Sequence, residues 1–213
     1  MFPALLVTVL MIIIAYLFGS ISSAIVVCRI WHLPDPRTEG SHNPGATNVL
    51  RMGGKLPALI TLLGDALKGV VPVLIAKWVE LSSMGVALVA LAAFIGHLYP
   101  LFFRFQGGKG VATCFGCLLA LYWPLGLSLI GTWVVIALLF RYSSLAALIT
   151  ALFAPFYTVY WLNVDIAGII SVMSILLLLR HRKNIYKLLK GTEDKIGKKK
   201  IIGQTATNED KLE

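Results

Sequence analysis

Three polar stretches carry the residue types able to do chemistry in this chain: GSHNPGATNVLR at 40–51, QGGKG at 106–110 and RHRKNIYKLLKGTE at 180–193. In the first, Gly, Ser, Asn and Thr favour a turn whose backbone N–H groups and hydroxyls point inward, a nest for an anionic oxygen, with Arg51 offering a bidentate fork. Ser41, Thr47 and Arg51 are its candidate contacts. In the second, Gly107, Gly108 and Gly110 let the backbone approach a ligand closely, and a helix opening near Val111 presents free N–H groups beside Lys109. A nucleotide-binding Walker loop needs Gly where this chain has Phe103 and Ser or Thr where it has Gly110, so nucleotide hydrolysis is disfavoured. In the third, His181 and Asn184 stand on one helix face and, as neutral groups among Arg180, Arg182 and Lys183, suit hydrogen bonding to a substrate. Taken singly, the stretches also read as a polar turn, a snorkelling lysine and a solvated juxtamembrane helix. Taken together they read as one phosphate-binding constellation.

The elements that must position them belong to a membrane. The chain is 58% hydrophobic and 14% charged, with a mean hydropathy of +0.83, more apolar surface than one soluble core can bury. Residues 4–28 carry no charge before Arg29 and fit a retained helix crossing the roughly 30 Å hydrocarbon layer, not a cleaved signal. Further apolar runs cover about 56–76, 84–103, 111–140, 143–162 and 164–179. One helix over 111–140 would place the basic loops 29–55 and 104–110 opposite the lysine-rich C-terminus, against the positive-inside bias. A break at Tyr122–Pro124 restores the bias, with aromatic residues at the interface and proline starting the next helix. The expectation is an all-α integral membrane protein with seven transmembrane helices, N-terminus outside and C-terminus cytoplasmic. A single transmembrane domain would span 1–193, with a basic tail over 194–213, and the three polar stretches would share the cytoplasmic face.

The net charge of +9 is concentrated at the C-terminus, where residues 180–213 hold ten of nineteen Lys and Arg. Such a tail favours anionic lipid; nothing accompanies it to suggest nucleic acid. Three cysteines make no disulfide framework, and CFGC at 114–117 reads as packing in an apolar run rather than a thiol or metal site. Neither a metal nor a cofactor is expected. Asp65 and Lys68, one turn apart in mid-span, read as a structural ion pair; GSISSA at 19–24 reads as a close helix contact; His97 reads as an interfacial hydrogen-bonding residue.

At these stretches the chain resembles the bacterial membrane glycerol-3-phosphate acyltransferases that use acyl phosphate as donor, the PlsY family. The similarity runs over about residues 10–194 and rests on AYLFGSISSAIVVCR, GSHNPGATNVLR, GDALKG, GHLYPLFFRFQGGKGVAT, RYSSL and RHRKNI followed by KLLKGTE, in order. It implies seven helices and transfer of a fatty acyl group to the 1-hydroxyl of glycerol 3-phosphate, giving lysophosphatidic acid. The site would lie on the cytoplasmic face of a bacterial inner membrane, and the protein would be a monomer with acyl phosphate as co-substrate. Carried over by position, Ser41, His181 and Asn184 would serve catalysis, while Thr47, Arg51, Gly107, Gly108, Lys109 and Gly110 would bind substrate phosphate. Glu193 would be structural. Some members have a ligand-contacting serine where this chain has Ala147, so that contact is not expected. The residues five after His32, His42, His97 and His181 are Arg37, Thr47, Phe102 and Tyr186, so the His–Asp acyltransferase signature is absent. A carrier of an organic phosphate is the alternative, and it requires access from both faces.

Overall fold

A computed structural model describes residues 2–197, with side chains from Ala4 onward, and most of the basic tail expected over 194–213 lies outside them. The described residues form α1 (Phe2–Gly19), α2 (Ser23–Ile30), α3 (Ala46–Gly53), α4 (Lys55–Trp78), α5 (Ser83–Leu98), α6 (Val111–Leu121), α7 (Trp123–Phe140), α8 (Ser143–Trp161), α9 (Val164–Arg180) and α10 (Arg182–Leu189), joined by loops and one 3-10 turn, Leu101–Phe103. In lipid a backbone must satisfy its own polar groups, so uncharged runs of Leu, Ile, Val and Ala become helices. Among the described residues five stretches are long and apolar enough to cross a membrane: Ala4–Ile30, Lys55–Trp78, Ser83–Phe103, Trp123–Phe140 and Ser143–Trp161. α9 joins them when taken with α10 across a 58° bend. α10 itself carries Arg182, Lys183 and Lys187, with Lys190 at its C-cap, which places it at the interface rather than in the span. Large apolar side chains such as Leu138, Phe156 and Val164 are more than 70% exposed, as suits a lipid-facing surface. The chain is an all-helical, multi-pass integral membrane protein.

Two of the apolar runs are shaped by polar contacts. The first is not one helix: α1 stops at Gly19 and α2 resumes at Ser23, leaving the Ile21 carbonyl to accept from Lys68 Nζ at 2.7 Å. A lysine buried in α4 thus takes the carbonyl that the break frees. The small residues there also pack as expected, since a Cβ on Gly19 would meet the Ala93 backbone of α5. The long run breaks at Tyr122, with Pro124 at the second position of α7. This leaves α6 only 11 residues. That is about 16 Å, roughly half the hydrocarbon thickness.

Both ends of α6 are tied to α4. At its start, Thr113 Oγ1 donates to the Asp65 carbonyl at 2.8 Å. This sets α6 level with a point about 15 Å along α4. At its end, Lys77 Nζ reaches the carbonyls of Ala120 and Leu121 at 3.2 and 3.4 Å, capping the last turn. The two helices run parallel, and the glycine loop 106–110 precedes α6, packed against the end of α5 and the Pro44 carbonyl.

Candidate functional site

The glycine loop is cast against the end of α5. Gly107 and Gly108 are buried, the Gly108 N–H donates to the His97 carbonyl at 3.2 Å, and a Cβ on Gly108 would collide with the His97 ring and the Pro44 carbonyl. Gly110, at φ +85°, turns the loop into α6. The sequence suggested that these glycines admit a ligand; the structure shows Gly107 and Gly108 admitting the protein's own chain. From the far side Arg180 donates to both carbonyls, Nη2 to Gly107 at 2.6 Å and Nε to Gly108 at 3.1 Å, with its guanidinium over the Tyr99 ring.

Behind the loop lies the buried ion pair. Lys68 Nζ is 2.8 Å from Asp65 Oδ1, each side chain 4% exposed. His97 Nδ1 lies 3.6 Å from the same oxygen and 3.1 Å from Thr113 Oγ1. With the Thr113 hydroxyl proton directed to the Asp65 carbonyl, its oxygen accepts from a protonated His97 Nδ1. His97 is therefore part of the scaffold under the glycine loop rather than an interfacial residue.

The first stretch is organised by Asn48, a residue to which sequence reasoning gave no role. It is 1% exposed. Its Oδ1 accepts the Ser41 N–H at 2.9 Å, and its Nδ2 donates to the carbonyls of Pro36 and Glu39, each at 3.0 Å. The Ser41 N–H is therefore committed and does not join an anion nest, while the Ser41 side chain is exposed. The available signal was an Asn in the first turn of a short helix behind a Pro- and Gly-rich loop, where side-chain amides organise backbone. Thr47 and Arg51 lie one turn apart on α3, both solvent-accessible, and Arg51 Nη1 pairs with Asp194 Oδ2 at 3.1 Å.

The third stretch pivots at His181, which is 2% exposed and whose Nδ1 is 2.8 Å from the Leu177 carbonyl. A carbonyl can only accept, so Nδ1 carries the proton and Nε2 keeps its lone pair. Burial first, then Lys109 and Arg180, lower its pKa to about 4, so the ring is neutral. Asn184 Nδ2 and Ser144 Oγ both donate to Glu193 Oε1, at 2.7 and 2.6 Å, pinning α10 to α8. Burial chiefly lowers Lys109 to about 8; Glu193 opposes this, while Lys187, Arg51 and Arg180 add to it.

These couplings bring the three stretches together. Arg51 from α3, Lys109 from the glycine loop and Asn184 from α10 surround Glu193 and Asp194, while Arg182 and Lys183 face outward. Val111, Ala147 and Leu177, each within about a turn of Lys109, Ser144 and His181 respectively, help line a narrow, mostly apolar cavity of about 10 Å³ between α6, α7, α8 and α9, with Cys114, Ala151 and Ala154 deeper in it. Cys114 and Cys117 are buried free thiols within the helix packing. Among the described residues no group of three or more His, Cys, Asp or Glu side chains is placed to hold a metal ion.

Comparisons with known proteins bear on the fold and the family. A crystal structure described as PlsY (YgiH), an integral membrane glycerol 3-phosphate acyltransferase in its glycerol 3-phosphate form, superposes with a TM-score of 0.84 at 37% identity, over 89% of this chain and 96% of that one. Its lysophosphatidic acid form gives a TM-score of 0.82 at 36% identity, over 89% and 95%. Among sequences, the glycerol-3-phosphate acyltransferase of Ralstonia nicotianae is 58% identical over 91% of this chain and 96% of its own, and that of Methylococcus capsulatus is 54% identical over 90% and 98%. The family model for glycerol-3-phosphate acyltransferase matches residues 9–191, and the chain belongs to that family.

Proposed function

We propose that this chain transfers a fatty acyl group from acyl phosphate to the 1-hydroxyl of glycerol 3-phosphate, releasing lysophosphatidic acid and phosphate, at the cytoplasmic face of a bacterial inner membrane. The observation that carries the proposal is the gathering of the cations Arg51, Lys109 and Lys187 at one end of a helix bundle whose large apolar side chains face lipid. Both substrates bear phosphate and one bears a fatty chain, so the reaction needs those two environments side by side. Counting α6 and α9 as crossings gives seven, which would leave the pouch and the basic C-terminus on one side, and the positive-inside bias favours the cytoplasmic one.

Arg51, Thr47 and Lys109 hold phosphate in this scheme, with Ser41 at the rim of the pouch. His181 and Asn184 orient the reacting groups, and Glu193 fixes Asn184. The glycerol hydroxyl oxygen attacks the acyl carbonyl directly; the new ester C–O bond forms as the bond to phosphate breaks, without an acyl-enzyme. A His181 held at about 4 is a weak proton sink. A phosphate oxygen, with a second ionisation near pH ~6, takes the hydroxyl proton instead. No cofactor is required, because the acyl phosphate arrives activated and positioning with charge stabilisation suffices. The protein acts as a monomer, with lipid as its surroundings.

Purified protein incubated with acyl phosphate and labelled glycerol 3-phosphate tests this directly. Labelled lysophosphatidic acid is expected, with little or none when a coenzyme A thioester replaces the acyl phosphate. Uptake of label into liposomes without product marks a carrier and refutes the proposal.

A further inference from the structure

We infer that Arg180 is a positioning residue for the acyl-acceptor substrate: its guanidinium fork holds two successive carbonyls of the glycine loop and thereby aims Lys109 into the pouch. A loop of Gly107 and Gly108 has no side chains of its own to fix its backbone, and glycine is the residue with the most conformational freedom to lose. Its shape must come from outside. Two contacts supply it, the Gly108 N–H to the His97 carbonyl on one side and Arg180 to the Gly107 and Gly108 carbonyls on the other.

The Arg180 contacts need a planar fork. Nη2 and Nε sit on the same edge of the guanidinium and reach adjacent carbonyls at 2.6 and 3.1 Å, which an ammonium group, with its single nitrogen, cannot match in direction. The guanidinium face lies 5.4 Å from the centroid of the Tyr99 ring, and Tyr16 Oη donates to the Tyr99 carbonyl at 3.0 Å, so the platform beneath the fork is itself fixed. Arg180 is also the last residue of α9 and the immediate neighbour of His181. One side chain therefore ties the loop carrying Lys109 to the bend carrying His181. The inference rests on assigning the Lys109 pouch to substrate phosphate.

The test uses purified full-length protein and measures equilibrium binding of glycerol 3-phosphate beside steady-state turnover for wild type, Arg180→Ala and Arg180→Lys. The Ala variant is expected to weaken glycerol 3-phosphate binding, and to raise its KM, about tenfold, with the KM for acyl phosphate changed less than about twofold. The Lys variant should restore less than about half of that loss, because charge alone does not reproduce the fork. Added guanidinium ion should recover part of the affinity in Arg180→Ala and none in Lys109→Ala. Should Arg180→Ala fold poorly, the Lys variant decides: unchanged glycerol 3-phosphate affinity in it overturns the inference. Unchanged glycerol 3-phosphate affinity in folded Arg180→Ala overturns the inference, as does an equal loss for both substrates that tracks a lowered melting temperature. A wild type that binds glycerol 3-phosphate yet forms no product refutes the acyltransferase reading, while the binding ratio between wild type and variant still judges Arg180.

Discussion

Replacing Glu193 with Gln removes a charge from the pouch and keeps an acceptor oxygen for Asn184 and Ser144, so it isolates what the carboxylate does to Lys109. Lys109 sits at about 8 because burial and the cations Lys187, Arg51 and Arg180 outweigh the Glu193 carboxylate. An opposite charge at close range moves a pKa by about 1–3 units, and the partial exposure of Glu193 places its effect at the lower end. Without that charge Lys109 should fall by about one unit, to near pH ~7.

Lys109 holds phosphate only as a cation, so function is present below its pKa and lost as pH rises through it. The assay is kcat/KM for glycerol 3-phosphate from pH ~6 to ~9.5 at saturating acyl phosphate, which reports the enzyme before glycerol 3-phosphate binds. Wild type should lose activity with an apparent pKa near 8 and Glu193→Gln about one unit lower. Lys109→Arg should keep its activity beyond pH ~9, because a guanidinium stays charged. An alkaline limb that stays put or rises in Glu193→Gln, or an unchanged limb in Lys109→Arg, refutes the assignment.

Arg51 is shared between Asp194 and the proposed phosphate, so Arg51→Ala should cut kcat/KM for glycerol 3-phosphate about 100-fold, whereas Asp194→Asn, which frees the fork, should leave KM equal or lower. Asn48→Ala removes the three hydrogen bonds of a buried side chain and should cost about 3 kcal/mol, read as an earlier melt with a thiol-reactive dye, since Cys28, Cys114 and Cys117 are all buried. Asp65→Asn strands the buried Lys68 cation and should cost about 3–5 kcal/mol in the same melt, while Asp65→Leu with Lys68→Met should recover most of it.

Where the chain meets lipid, the sequence was readable. Uncharged runs had no way to satisfy their backbone except as helices, and the break at Tyr122 followed from Pro124 and the placement of basic loops. The gathering of Arg51, Lys109 and Asn184 was legible too, because phosphate chemistry requires cations and turn residues that lipid otherwise excludes. Long-range contacts were not legible. The interruption between α1 and α2 is completed by Lys68, 47 residues beyond the Ile21 carbonyl it binds. Gly107 and Gly108 are glycines because His97, Leu98 and Pro44 crowd them, which no local pattern announces. Arg180 read as one more juxtamembrane cation until its fork was seen on two carbonyls. Asn48 was hidden among turn residues whose usual work is local, although its own partners lie 7 to 12 positions away.

Everything depends on one phosphate being held at once by groups from separate parts of the chain. A double-mutant cycle on glycerol 3-phosphate affinity, with Arg51→Ala, Lys109→Ala and the pair, measures that most directly. The pouch predicts that the two losses are coupled by about 1 kcal/mol or more. Losses that add to within about 0.3 kcal/mol would place the two cations on different ligands and contradict the account.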